Sequence, residues 1–214
     1  TTSYRRKRVM EEAYVTPSKF DGKLGYIYSC ITKEQFKALM EDDSTENIAL
    51  NVFYSRIKGS LNKGDVKELS TVNHNKNIFL KIPEIIKEEF DFITKIIDEL
   101  SPYIKGLITS NAGIIRKYKD SMFIIGDYKL NIFNHEGAEF YSEDVDIPFL
   151  SLELNRKEIK EIMKDIKCRT GVNIYGKTEL MVSEYCPVGS TFGNRSSKKE
   201  CSGPCMKDNF TLID

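Results

Sequence analysis

Three cysteines near the carboxyl end of this 214-residue chain have the types and spacing that most plainly suggest chemistry. Cys201 and Cys205 are separated by three residues, and the intervening Gly203-Pro204 favours a tight turn that would bring both thiols to one ion. Fourteen residues rich in Gly and Ser lie between Cys186 and Cys201, enough chain to loop back. Arg195, Lys198 and Lys199 would lower thiolate pKa values and offset the charge of a thiolate-held centre. Spacing alone allows zinc or an iron–sulfur cluster about equally, with a disulfide or inert thiols as the blander readings. Three thiolates are one ligand short of a closed zinc site or a cubane cluster. Candidates for the fourth are Cys30, Cys168 or a residue beyond Asp214. Cys168 ends a segment with apolar Ile159, Ile162, Met163 and Ile166, which makes it a core residue first.

The elements that must position these groups alternate short apolar runs with amphipathic helices. Strands are expected at 24–30, 48–54, 78–82, 104–109, 122–125, 147–152 and 172–175, with a further short run at 180–182. Helices are expected after Thr32 over 33–42, then at 84–100 behind Pro83, 112–117, 136–141 and 156–167. About seven such units, with strands apolar on both faces, read as a mostly parallel sheet. The expected fold is α/β and TIM-barrel-like, a closed or partial β/α barrel, with an open doubly wound sheet as the alternative. No GxGxxG or GxxxxGK[ST] occurs, which disfavours a nucleotide fold. The composition changes after Glu184, dividing a barrel-like domain at 1–184 from a cysteine-containing tail at 185–214.

Chemistry on a β/α barrel gathers just past the carboxyl ends of its strands. That criterion selects Lys81, Ser110, Asn111, Asp127, Asn131, Asn134, Glu153 and Asn155, of which Asp127, Asn131 and Glu153 are the preferred substrate contacts. Each has a competing reading as a helix cap or turn residue, and for Asn155 the N-cap is preferred. His74 and His135 fall in polar loop sequence without HExxH spacing, and no GxSxG occurs. Arg5-Arg6-Lys7-Arg8 is a local basic run, read first as a solvated helix start or interdomain contact, with RNA contact as the lesser alternative.

Hydrophobic residues make up 40% and charged residues 30% of the chain, a globular profile. Its formal net charge is zero, so no global field draws it to nucleic acid or an anionic membrane. No run approaches the length of a membrane span and no secretory leader opens the chain, so a cytoplasmic, non-membrane protein is expected. Five cysteines, an odd count, argue against a disulfide framework. Thr1 rather than Met opens the chain, and a piece of a longer polypeptide is expected.

The segment YGKTELMVSEYCPVGS (Tyr175–Ser190), followed by Cys201 and Cys205, resembles the collagenase-like peptidases of the unassigned-type family U32. GLITSNAGIIRKY, GDYKLNIFNHEGAEFY and FLSLELNRKEIKEI look like that family's successive strand-end segments, in the right order. YRRKRVMEEA looks like its Arg-Arg connector. The resemblance is to the carboxyl-terminal part of longer members, and it implies a barrel-like fold. Some relatives are hydroxylases of RNA bases or quinone precursors that carry a four-iron cluster on four cysteines. On that resemblance Cys186, Cys201 and Cys205 match three ligand positions, and the fourth would lie past Asp214. Tyr175 precedes Gly176 where many members have His.

The implied cofactor is therefore an iron–sulfur cluster in the full-length protein, with zinc as the alternative and an unfilled site expected in this piece alone. The implied partners are RNA or a peptide substrate and the remaining portion of the polypeptide.

Overall fold

The computed structural model describes residues 25–53, 59–71, 75–176, 178–179, 185–194, 196, 202–208 and 210. The basic run at Arg5–Arg8, His74, the apolar run at 180–182 and Cys201 lie outside them.

Six strands form a single sheet: β1 (Ile27–Cys30), β2 (Asn47–Leu50), β3 (Asn77–Lys81), β4 (Gly106–Thr109), β5 (Phe123–Gly126) and β6 (Ile147–Pro148). Their order is sequential, every neighbouring pair is parallel, and the sheet curls into a half barrel of the TIM type. A doubly wound sheet would reverse its strand order at a switch point. This one does not, so the alternative is excluded.

Helices cover one face. They are α1 (Lys33–Glu41), α2 (Lys63–Ser70), α3 (Phe90–Leu100), α4 (Ala112–Tyr118), α5 (His135–Ser142) and α6 (Arg156–Asp165), with the short α7 (Pro187–Thr191) in the tail. Strand residues alternate between the two faces. Ile48, Leu50, Ile78, Leu80, Leu107 and Ile124 pack outward with Phe36, Met40, Val66, Ile93, Ile97 and Leu100 of the helices. Ala49, Phe79, Ile108, Phe123, Ile125 and Ile147 form a separate cluster on the opposite, concave face. Both faces are therefore apolar, which is why the strands read as continuous hydrophobic runs.

Phe79, Gly106 and Phe123 lie in register across β3, β4 and β5. The two rings are 6.0 Å apart between centroids. A Cβ on Gly106 would stand 2.1 Å from the carbonyl oxygen of Phe123, so the approach of the two strands requires glycine.

Several expectations need correction. There are six strands in the described sheet, not about seven. The expected strand at 172–175 is irregular chain, and only Gly171 pairs, in an isolated parallel bridge to Phe149. Beyond Gly171 the chain leaves Ile174 and Tyr175 exposed, so no burial of apolar side chains stabilises a further strand there.

The helix expected at 84–100 begins only at Phe90. Residues 84–89 are held outside it by tertiary contacts, since Asn111 Nδ2 donates to the Glu84 carbonyl at 3.0 Å and Lys129 pairs with the Glu84 carboxylate. Helix α2 was not anticipated, although Asn62 and Asp65 form a capping box that marks its start. His135 opens α5 rather than lying in a loop. Among the described residues, no helix is long and apolar enough to cross a membrane.

Candidate functional site at the carboxyl edge of the half barrel

The same alternation that builds the concave apolar cluster sends polar residues to its rim. Asn51 stands two residues past Ala49, Lys81 two past Phe79, and Asp127 two past Ile125, so all three share the concave face at the carboxyl ends of β2, β3 and β5. They line a cavity of about 150 Å³ together with the loop Ile82–Ile85, Lys129 and Glu179.

Lys81 Nζ lies 3.3 Å from Asp127 Oδ2 and 5.4 Å from the centroid of the Tyr128 ring. Asp127 is buried, at 5% exposure, and its Oδ1 accepts the Tyr128 N–H at 2.7 Å. Its own N–H donates to the Thr109 carbonyl, which anchors the loop to β4. A carboxylate this buried is tolerable because it is both paired and hydrogen-bonded.

Lys129 occupies the 3₁₀ turn Tyr128–Leu130 and binds two carboxylates, Glu84 Oε2 at 2.5 Å and Glu179. Burial pulls the Lys129 ammonium down, but the hydrogen bonds it donates to Glu179 and Glu84 outweigh that and raise it above the usual lysine range. The ammonium is thus charged throughout any working pH, and Glu179 of the tail-side segment is fastened to the cavity wall.

The preferred substrate contacts part company here. Asp127 faces the cavity. Asn131 is exposed and closes the 3₁₀ turn with φ 54° and ψ 51°, a left-handed conformation that asparagine tolerates well. Glu153 is exposed, its N–H donating to Ser151 Oγ at 3.3 Å. Asn111, Asn134 and Asn155 are N-caps of α4, α5 and α6, each accepting backbone N–H groups at the helix start. Ser110 is half-buried and does not line the cavity.

Asn51, Glu84, Lys129 and Glu179 were not foreseen. The alternation past β2 could have found Asn51, and Glu179 lies inside the motif segment that carries the family resemblance. Nothing local marks Glu84 or Lys129, whose roles depend on chain segments far apart in sequence.

Cys30 lies in the core at 2% exposure, and burial pushes its thiol up to about 12. It behaves as a small apolar residue there. Cys168 is partly buried and packs against the cluster of Ile132, Leu150 and Ile162.

Cys186 caps α7 and Cys205 lies in the 3₁₀ turn Pro204–Met206, and these two short helices pack together. Ser202 donates to the Gly193 carbonyl at 2.9 Å, and Phe192 and Phe210 stack with centroids 5.5 Å apart. The Cys186 thiol caps α7, with its Sγ accepting the Gly189 N–H at 3.2 Å. Hydrogen bonds to sulfur are one means by which a protein tunes a thiolate-held cluster. Thiolates are ligands for zinc and iron–sulfur centres, and Cys201 lies four positions before Cys205 in sequence. Among the described residues, no group of three or more His, Cys, Asp or Glu is assembled to hold an ion.

The model of Peptidase family U32 matches residues 47–214, most of the chain. The chain belongs to that family. The matched span contains β2 to β6, the cavity residues and the three tail cysteines, so the U32 domain includes both the rim site and the tail. Searches of curated proteins and of solved structures gave no match to this U32 chain.

Proposed function

We propose that the intact protein modifies an RNA base, by hydroxylation or a related step, at the carboxyl edge of the half barrel. The observation that supports this reading is the bond between Lys129 and Glu179. It fastens Glu179, which stands seven residues before Cys186 in sequence, onto the wall of the cavity that Lys81 and Asp127 line. The cavity itself stands at the carboxyl edge of the sheet, where β/α barrels carry out chemistry.

Cys186, Cys201 and Cys205 would hold the cofactor, with a fourth ligand from elsewhere. An iron–sulfur cluster bound there would supply electron transfer. The chain's own residues do the rest: Asp127 accepts hydrogen bonds, the Lys81 ammonium donates them, and Ile82, Pro83 and Ile85 supply apolar wall.

The test is purification of the full-length protein without oxygen. A brown protein with broad visible absorbance that loses its colour in Cys186→Ser and Cys205→Ser is expected. A colourless protein with stoichiometric zinc would sink the cluster and favour a structural metal in a non-catalytic binding module. RNA from a deletion strain should lack one modified base. Unchanged RNA, with proteolysis by the purified protein that a site substitution abolishes, would favour peptide hydrolysis, the activity in the family's description.

A further inference from the structure

At about 150 Å³ the rim cavity lies below the roughly 300 Å³ at which pockets for drug-sized ligands begin, so it suits a single small ring or its edge. Its polar wall holds a donor and an acceptor side by side. The Lys81 ammonium stands 3.3 Å from Asp127 Oδ2, and that contact leaves further N–H groups on Nζ. The other carboxylate oxygen of Asp127 is committed to the Tyr128 N–H, which fixes the orientation of the carboxylate. Lys129 is engaged by Glu84 and Glu179 and is the less available donor.

An adjacent N–H donor and carboxylate acceptor match a ligand edge that presents a carbonyl oxygen and an N–H on the same side. A lactam, the amide constrained cis within a ring, has that edge. An ordinary peptide group is trans and presents its carbonyl and N–H in opposite directions, so it can satisfy only one of the pair. We propose that Lys81 and Asp127 form a lactam-reading pair: Lys81 donates to the ring carbonyl and Asp127 accepts from the ring N–H. Apolar Ile82, Pro83 and Ile85 bound the ring.

This deepens the base-modification reading, because some RNA bases carry a lactam edge and no trans peptide does. It rests on that reading only for the natural ligand. A buried carboxylate left facing a methyl group loses its hydrogen bond and stays desolvated, which is the basis for strong rejection.

The experiment uses the whole chain and three small probes, δ-valerolactam, its N-methyl derivative and the trans amide N-methylacetamide, followed by ligand-observed NMR titration. δ-Valerolactam should bind, with the other two weaker by roughly tenfold or more. Lys81→Met, which keeps the aliphatic stem, should weaken δ-valerolactam by a similar factor while the circular dichroism spectrum is unchanged. Equal binding of the N-methyl lactam or of N-methylacetamide, or no binding of δ-valerolactam, overturns the proposal without the need for any variant. Unchanged RNA in a deletion strain would instead overturn the base-modification reading and leave the lactam selectivity standing.

Discussion

Lys129 holds Glu179 across fifty residues of sequence, tying the family motif to the turn after β5. The same ammonium grips Glu84 in the loop after β3, so three segments with no local reason to meet converge on one charge. The cavity wall exists because of this convergence, and its energetics should be visible in stability as well as in binding.

Replacing Lys129 with Met leaves Glu84 and Glu179 facing each other without a counter-charge. The side chains are only partly buried, so the loss falls below that for a fully buried pair, at about 1–2 kcal/mol in urea denaturation. The variant should also be cleaved faster by protease within the motif segment. An unchanged midpoint and unchanged cleavage would show that the bridge does not hold the segment.

Glu99 accepts from Lys63 at 2.7 Å and Lys67 at 2.5 Å, joining α2 to the end of α3. Those two hydrogen bonds hold its carboxyl down at about 2, against an ordinary 4.5. A depressed carboxylate stabilises the fold above its ordinary range, and the contribution disappears as pH falls towards about 2. Stability followed between pH values of about 5 and 2 should therefore fall less steeply in Glu99→Gln than in the parent. Parallel curves would contradict this assignment.

The cysteines should differ sharply towards a thiol reagent. In metal-free protein Cys205, which is exposed, should react first, and Cys186 and Cys168 more slowly. Cys30 should stay unmodified until urea unfolds the chain, because burial both shields it and keeps it protonated. Mass spectrometry of labelled peptides gives the order directly. Early labelling of Cys30 would mean that β1 opens readily.

Gly106→Ala puts a methyl group into the backbone of β5 beneath the Phe79 and Phe123 rings. Because a backbone carbonyl must move, the expected cost is about 2–3 kcal/mol, the upper range for overpacking. Gly25→Ala, where a Cβ meets nothing within 4 Å, serves as the control and should be close to neutral. Thermal denaturation of both variants decides it.

Much of the fold was legible because its causes are local. Apolar runs of strand length set the β/α alternation. Thr32, Asn111, Asn134 and Asn155 stood where helix N-termini required a side-chain acceptor, and each is a cap. The strand-end criterion was enough to select Lys81 and Asp127, which stand at the carboxyl ends of β3 and β5, and the motif around Cys186 carried the family. Strand ends and helix starts at 84 and 172 went astray because neighbours distant in sequence, Asn111 and Lys129 in one case and the chain beyond β6 in the other, decide whether a segment has a partner.

The candidate site divides along the same line. The sequence by itself determined the caps at Thr32 and Asn155, the apolar runs of the strands and the close spacing of the tail thiols. Periodicity and hydrogen-bonding chemistry act over a few residues. Only the tertiary structure decided that Asp127 pairs with Lys81 while Asn131 and Glu153 face solvent, and that Glu179 lines the cavity. Those outcomes depend on how the sheet curls, which brings the ends of β3 and β5 together across β4.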